Sequence, residues 1–199
     1  MRRILGTSLL MVVVMTILTG LAYPLALTGV AQAVFHGQAN GSLVTNAQGQ
    51  VVGSGLIGQS FTDAKGNPLP KYFQPRPSAA GTNGYDAMAS GGANLGPTNP
   101  VLLKAVADAA ASYRSLNHLA STVLVPIDAV TTSGSGLDPQ ISIANARLQA
   151  PRVAAARHLA LATVLAAIAA HTQGRVAGVL GQPGVNVLEL NLALDRLDR

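Results

Sequence analysis

Hydrophobic residues are concentrated at the beginning of the chain. Arg2 and Arg3 are followed by residues 4–27, a run of 24 positions without a charge. A helix rising ~1.5 Å per residue would extend over roughly 36 Å here, enough to cross a hydrocarbon core of about 30 Å. The next Lys or Arg is Lys65. Because positive charges flanking a membrane span stay on the cytoplasmic side, this pattern predicts a cytoplasmic N-terminus and an extracytoplasmic chain after about Phe35.

A cleaved signal peptide is the alternative interpretation of the same segment. Residues 31–33 read Ala-Gln-Ala, which fits the small-x-small cleavage pattern, so that cleavage after Ala33 would release a freely diffusing exported binding protein. The apolar run, however, is much longer than the roughly 7–15 residues usual in a signal peptide. We therefore favour a retained anchor.

The anchor also carries a pattern typical of helices that pack against other membrane helices. Thr16 and Gly20 lie one helical turn apart, and Pro24 follows after a further turn. Small residues at this spacing let a second helix approach closely, which is how transmembrane helices associate. Thr16, Gly20, Tyr23 and Pro24 are the predicted interface with a partner helix.

After the anchor, helical and extended patterns alternate. Residues 43–45 and 50–52 predict a hairpin. Thr98-Asn99-Pro100 predicts the beginning of a helix that ends near Ser115. The pattern further predicts a short strand at 123–125 and a second strand at 187–195, where leucines alternate with mostly polar residues. Between them it predicts a helix that Ser142 caps, that Pro151 interrupts or restarts and that ends near His171. Residues 158–170 of this helix are predicted to be buried in the core.

These elements predict an α+β fold. We expect a single N-terminal transmembrane helix within residues 1–35 and one mixed helix/sheet extracytoplasmic domain over residues 36–199. Residues 63–100 are dominated by Gly, Pro, Asn and Ser. A stretch of this length with little periodicity is too long for an idle connection, so it is either disordered or an ordered loop that serves a partner or ligand.

Composition excludes several classes of protein. The formal charge is +5, but Arg2 and Arg3 contribute to it, the other basic residues are scattered, and aromatic residues make up only 4% of the chain. A nucleic-acid interface needs a basic cluster, so nucleic-acid binding is not expected. The absence of cysteine excludes disulfides, thiolate chemistry and a lipid-anchored lipoprotein.

The usual catalytic motifs are missing from the sequence. The dipeptide Gly-Lys of a phosphate-binding loop never occurs, and neither does a Gly-x-Ser-x-Gly elbow or a His-Glu-x-x-His helix. The four histidines, at 36, 118, 158 and 171, are too far apart in sequence for a ligand motif. We expect Arg147, Arg152 and Arg157 to form a solvated helix flank, and Asp195 and Asp198 to be solvated.

Two loops of small residues stand out, at 89–96 and 133–139. Their exposed N–H groups would suit an anion, but tight turns beneath packed elements are the more ordinary use of such residues. Ser90, Gly91 and Gly92 echo the Ser-Gly-Gly core of the signature loop of transporter ATPases. They are a weak candidate for a nucleotide-binding loop.

Taken together, these segments resemble the C subunit of the Kdp-type potassium-transporting ATPase. The matching pieces occur in family order and span nearly the whole chain: TGLAYP at 19–24, YFQPRPSA at 72–79, ASGGANLGP at 89–97, TSGSGLDP at 132–139, VAAAR at 153–157, HTQGR at 171–175 and NVLELNLALD at 186–195. On these motifs the chain is identified as a member of that family.

The resemblance implies a non-catalytic accessory subunit of a bacterial inner-membrane pump that uses ATP to take up potassium. Its partners would be a channel-like potassium-translocating subunit, a P-type catalytic subunit and a small lipid-like subunit. The resemblance also implies a catalytic chaperone that raises the ATP affinity of the P-type subunit. This chain itself has no filter-like Thr-Val-Gly-Tyr-Gly run and no Asp-Lys-Thr-Gly phosphorylation motif.

The predicted topology conflicts with a direct contact between Ser90 and ATP, because ATP is cytosolic whereas Ser90 is predicted to lie outside. We therefore expect no cofactor on this chain, and ATP and potassium to be used by the complex. The residues expected to contact partner domains are Gln74, Arg76, Asn94, Ser133, Ser135 and Asp138.

Overall fold

The computed structural model describes residues 1–197, and the chain divides into two compact units, of which the first is Met1–Leu43 and the second begins at Val44. The architecture is a mixture of helices and short strands with one apolar N-terminal helix, as the hydrophobic pattern predicted. Asp198 lies outside the described residues.

The first unit is dominated by one continuous helix over Arg2–Val34. It comprises α1 (Arg2–Ile17), a π-helical turn (Leu18–Ala22) and α2 (Tyr23–Val34), followed by the short α3 (His36–Ala39). The helix has 33 residues, and its most apolar 18-residue window has a mean hydropathy of 2.3, so it is long and apolar enough to cross a membrane. None of that window is buried within the described residues. Exposed apolar side chains of this kind suit a hydrocarbon environment.

The predicted hairpin is formed by β1 (Leu43–Thr45) and β2 (Val51–Ser54). The Asn46 Oδ1 atom accepts hydrogen bonds from the backbone of Gln48 and Gln50, each at 3.0 Å, which closes the turn. An Asn side chain that bonds to the backbone ahead of it is a standard turn former.

The helix predicted from the Thr-Asn-Pro signal is α4 (Pro100–Leu116), and the Asn99 side chain accepts the Val101 N–H at 2.9 Å. The strand predicted at residues 123–125 is wrong. The guanidinium of Arg114 donates to the Val123 carbonyl, and the chain continues into a 3₁₀ turn at Ile127–Ala129. A run of three apolar residues such as Val-Leu-Val does not form a strand when no neighbouring strand is available to pair with it.

Ser142 caps α5 (Ile143–Arg157) as predicted, since its Oγ accepts the Asn145 N–H at 3.1 Å. Pro151 lies within α5 and does not interrupt it; the helix ends instead at His158, whose φ of 54° is left-handed. The next helix, α6 (Leu161–Ala170), buries only Val164 and Ile168. The expectation of a buried core helix therefore holds for one face of α6 alone.

A three-stranded antiparallel sheet of order β3-β5-β4 joins these helices. Its strands are β3 (Gln140–Ser142), β4 (Thr172–Gln173) and β5 (Gly184–Asn186), and Val185 on the central strand pairs with Ile141 on one side and Thr172 on the other. Ile141 and Val185 belong to the main core, which also contains Phe73, Val153, Val164, Leu190 and Leu194.

The strand predicted at residues 187–195 is wrong, because this segment is α7 (Val187–Leu197). Its fully buried positions include 187, 190, 191 and 194, which is helical spacing, and the Asn186 side chain accepts the Glu189 N–H at the first turn. The alternating leucines satisfied a strand pattern and a helix pattern at once. Leu, Glu and Ala are good helix formers, and α7 begins at the residue directly after β5.

Candidate functional site

The two loops of small residues, which lie more than 40 positions apart in sequence, pack against each other. The Gly91 N–H and the Ser90 Oγ both donate to the Ser135 carbonyl, at 2.8 and 3.0 Å. A Cβ on Gly92 would lie 3.1 Å from the Gly134 carbonyl oxygen, closer than side chains ordinarily approach. The glycines therefore allow two backbones to come together that larger residues would hold apart.

This packing determines which donors of the nucleotide-loop candidate are free. Of Ser90, Gly91 and Gly92, the first two already donate to a backbone carbonyl of the other loop. A bound phosphate would have to compete with these hydrogen bonds. The assignment of the three residues to a nucleotide stays a prediction.

Ser78 connects the loop at 133–139 to the proline-rich segment. Its Oγ donates to the Gly136 carbonyl at 2.6 Å and accepts the N–H of Tyr85 at 2.8 Å. Gly136 has a φ of 70°, and a Cβ there would lie 2.6 Å from the Gly91 carbonyl oxygen. We call residues 76–78, 89–92 and 133–138 together the loop cluster.

An arginine–aspartate pair lies at the edge of the loop cluster. Arg76 Nη1 lies 3.1 Å from Asp138 Oδ2, and Arg76 Nη2 donates to the Thr132 carbonyl at 3.2 Å. Both side chains retain part of their exposure, 22% and 31%, so the pair remains within reach of a partner. The Arg76 Nε atom is buried and has no hydrogen-bond partner within the described chain. A buried donor without an acceptor is costly, and because this one is buried, only the Nη atoms of the guanidinium are open to a partner.

Tyr85 holds the backbone of the arginine in this pair, because its hydroxyl donates to the Arg76 carbonyl at 2.6 Å. Burial raises the pKa of Tyr85 above its ordinary value, and the charge of Asp138 raises it further, against a smaller opposite effect of Arg76. The phenol therefore stays protonated and keeps donating well into the alkaline range.

Four of the predicted partner-contacting residues line one surface groove of about 620 Å³: Arg76, Ser133, Ser135 and Asp138. The other two do not join them. Gln74 lines a larger neighbouring groove of about 960 Å³, beside α4, and its side-chain amide donates to the Phe61 carbonyl at 3.0 Å. Asn94 is exposed, with a left-handed φ of 51°.

The sequence patterns did not predict the buried polar network that holds the proline-rich segment. Asn191 accepts the Phe73 N–H at 2.9 Å and donates to the Phe73 carbonyl at 3.0 Å, while Gln149 makes the same pair of bonds to Gln74 at 2.8 and 3.0 Å. Each side-chain amide thus makes, to the N–H and C=O of one extended residue, the two hydrogen bonds that a neighbouring strand would otherwise make. The sequence does contain one signal of this network: Asn191 is a polar residue at an apolar position of a helix, and a buried polar side chain needs hydrogen-bond partners.

The expectation of a solvated arginine flank holds for Arg147 and is wrong for the other two. Arg152 is buried and donates to the carbonyl oxygens of Pro70 and Tyr72. Burial lowers the pKa of Arg152 to about 10, against an opposite effect of Tyr113. Arg157 donates to the Lys71 carbonyl and pairs with Asp195 at 2.9 Å, so Asp195 is not simply solvated either.

Within residues 1–197, no group of three or more His, Asp or Glu side chains is arranged to hold a metal ion.

The anchor places its four predicted interface residues around an irregular turn. The Tyr23 N–H donates to Leu18 five residues earlier, in place of the usual four, and Pro24 follows immediately. Thr19 Oγ donates to the Met15 carbonyl at 2.7 Å. A Cβ on Gly20 would meet only the Thr16 methyl, at 3.9 Å, so this glycine is not required by its own helix.

A long exposed apolar helix precedes a small domain of mixed helices and strands, and its length and composition are those of a membrane-associated protein. The family model described as "K+-transporting ATPase, c chain" matches residues 5–196. The chain therefore belongs to the KdpC family, the C subunits of the potassium-transporting ATPase.

Curated relatives agree with the family match over nearly the full length. The potassium-transporting ATPase KdpC subunit of Mycobacterium tuberculosis (strain ATCC 25618 / H37Rv) is 57% identical over 197 residues, covering 99% of this chain and 100% of that protein. That of Caulobacter sp. (strain K31) is 58% identical over 180 residues, covering 90% and 87%. The chain is thus a subunit of a potassium-uptake complex and not its catalytic subunit, and the alternative of a free exported binding protein gains no support.

Proposed function

We propose that this accessory subunit is retained in the inner membrane by residues 2–34, with its N-terminus in the cytoplasm and its domain on the outer face. The observation that carries the proposal is the charge pattern: Arg2 and Arg3 precede the span, and no further Lys or Arg occurs before Lys65. In this arrangement the subunit stabilises the assembled pump from the side opposite to the nucleotide.

The groove lined by Arg76, Ser133, Ser135 and Asp138 is the proposed docking surface for a partner subunit's exposed domain. It combines a partly exposed guanidinium, a partly exposed carboxylate and two hydroxyl side chains. Polar groups held in fixed positions give an interface its specificity and register. The channel-like subunit, the P-type subunit and the small lipid-like subunit are the partners that the family resemblance implies.

We propose that the chaperone effect on ATP affinity, which the family resemblance implies, is transmitted through the membrane helices. The Ser90 hydroxyl and the Gly91 N–H are engaged by Ser135, which supports a structural use of this loop. ATP titration of the full-length chain and of a Ser90→Ala variant tests the point. Saturable binding that the variant loses would contradict it.

The test of the function is a pump purified from cells that lack this chain. We expect the remaining subunits to be recovered in lower yield and to show little potassium-stimulated ATP hydrolysis, with both restored by the wild-type chain. A complex that assembles and pumps normally without the chain would refute the proposal.

A matched pair of variants tests the groove itself. A Cβ would meet no other atom within 4 Å at Gly134, which lines the groove, or at Gly174, which lies in a different exposed turn. We expect Gly134→Gln to weaken recovery of the complex and Gly174→Gln to leave it unchanged. Equal recovery of both variants would exclude this groove as the docking surface.

A further inference from the structure

The irregular turn in the anchor leaves a backbone oxygen unpaired. In a regular α-helix the Tyr23 N–H would donate to the Thr19 carbonyl, but here it donates to Leu18. In the π register the donor to Thr19 would be residue 24, which is proline and has no N–H. The Thr19 carbonyl therefore has no backbone donor in either register.

The surroundings of this oxygen make it accessible and restrict what it binds. The carbonyl belongs to the peptide that joins Thr19 to Gly20, and both residues are exposed within the described part of the chain. The Thr19 hydroxyl uses its proton on the Met15 carbonyl, which leaves only acceptor lone pairs on Oγ. The site therefore presents two acceptor oxygens and no free donor.

We propose that this site receives a hydrogen-bond donor from a polar side chain on a transmembrane helix of a partner subunit. The inference rests on the proposed retention of the helix in the membrane. Unpaired backbone carbonyls are costly in hydrocarbon and are tolerated where a neighbouring helix satisfies them. Gly20, beside the carbonyl, lets that helix approach closely.

Two other occupants of the site are outcomes of the test. A water molecule would satisfy the carbonyl whether or not the partner is present. A potassium ion needs a nearly complete shell of oxygens, of which this site supplies only two, and its effect would depend on potassium concentration rather than on the partner.

The absence of cysteine from the chain allows a direct measurement. Thr19→Cys produced with [1-¹³C]cysteine places a single ¹³C carbonyl in the full-length chain, at the proposed site. Its infrared amide I band is recorded for the chain alone in lipid vesicles and for the chain bound to the unlabelled partner subunits. Gly29→Cys, labelled in the same way, is the control on the same helix, where a Cβ meets nothing within 4 Å.

We expect the residue 19 band to move to lower frequency when the partners bind, as a carbonyl does when it accepts a hydrogen bond, with the residue 29 band unchanged. An identical residue 19 band in both samples would overturn the proposal, as would a shift that follows potassium concentration instead of partner binding. This outcome is separate from the test of the subunit role, which a pump that assembles and works without the chain would refute.

Pro24→Ala provides a second readout. The variant regains an N–H in the helix, so we expect the residue 19 band of the lone chain to fall already without partners. We also expect the chain to dissociate from the complex about three to twenty times faster, the range that corresponds to the stabilisation by one hydrogen bond between membrane helices. Unchanged dissociation together with an unchanged band would contradict the assignment.

Discussion

Single polar side chains decide how the proline-rich segment is held. Residues 70–74 have no strand neighbour, and their backbone groups bond instead to the side chains of Gln149, Arg152, Arg157 and Asn191. Buried backbone groups are nearly always paired, so a segment that leaves the sheet must find side-chain partners. The network explains why such a Pro- and Gly-rich region packs on the core, through Phe73, without regular secondary structure.

Asn191→Ala tests this account at the level of one residue. The variant removes both partners of the buried Phe73 backbone, and each unsatisfied buried group costs about 1–3 kcal/mol, so we expect a loss of roughly 2–5 kcal/mol in the free energy of unfolding. Urea unfolding of the full-length chain in detergent measures it. Gln48→Ala, at an exposed turn position, is the control, and equal stabilities of the two variants would contradict the role of Asn191.

At the scale of elements, the predictions that rested on a capping or turn-forming residue are confirmed. Asn99 and Ser142 cap the helices that they were predicted to begin, and the residues around Asn46 form the predicted turn. The wrong predictions, at 123–125 and 187–195, rested on apolar spacing alone. Spacing does not reveal whether a neighbouring strand exists, because that depends on contacts distant in sequence.

The loop cluster shows the same limit for the candidate site. The Gly- and Ser-rich composition identified both loops, and four of the six predicted partner-contacting residues line one groove. Their mutual packing through Ser135 and Gly91 joins positions more than 40 residues apart. No local pattern in one sequence reports such a pairing, so the loops were predicted separately.

Gly136→Ala tests whether the two loops form one unit. The residue has a left-handed φ, and a Cβ would lie 2.6 Å from the Gly91 carbonyl oxygen, so we expect a destabilisation of about 1–3 kcal/mol. Gly134→Ala, two positions away in the same loop, meets no atom within 4 Å and should change little. Both are compared by urea unfolding, and equal midpoints would show that the loops do not depend on each other.

For the whole molecule, the buried titratable groups predict weaker folding at alkaline pH. Burial, with the charges of Asp138 and Asp128 as the second causes, raises the pKa values of Tyr85 and Tyr113 above 10.0. Their contribution to stability is complete below pH 10 and is lost as the pH rises towards the folded values, because the unfolded chain releases these protons first. Burial lowers the pKa of Arg152 to about 10. This shift stabilises the folded chain as the pH rises, but it is one group acting against the two tyrosines.

Urea midpoints measured between pH 8 and pH 11 check this expectation. The wild-type midpoint should fall above pH 10. In Tyr85→Phe the urea midpoint should decrease less with pH, because the remaining effects of Tyr113 and Arg152 on stability are opposite in sign and nearly cancel. A midpoint that rises with pH in the wild type would show that the sign is wrong.

The account of the whole molecule depends most on the side of the membrane on which the domain lies. Because the chain contains no cysteine, Gln48→Cys and Gly174→Cys each introduce a single thiol at an exposed turn, and Ala146→Cys introduces one in the core as a control for folding. The measurement is labelling of each variant by a membrane-impermeant maleimide in right-side-out and inverted vesicles. We predict that the two exposed thiols react in right-side-out vesicles and not in inverted ones, with the core thiol unreactive in both. Reaction of the exposed thiols in inverted vesicles alone would place the domain beside the nucleotide and contradict the proposed function.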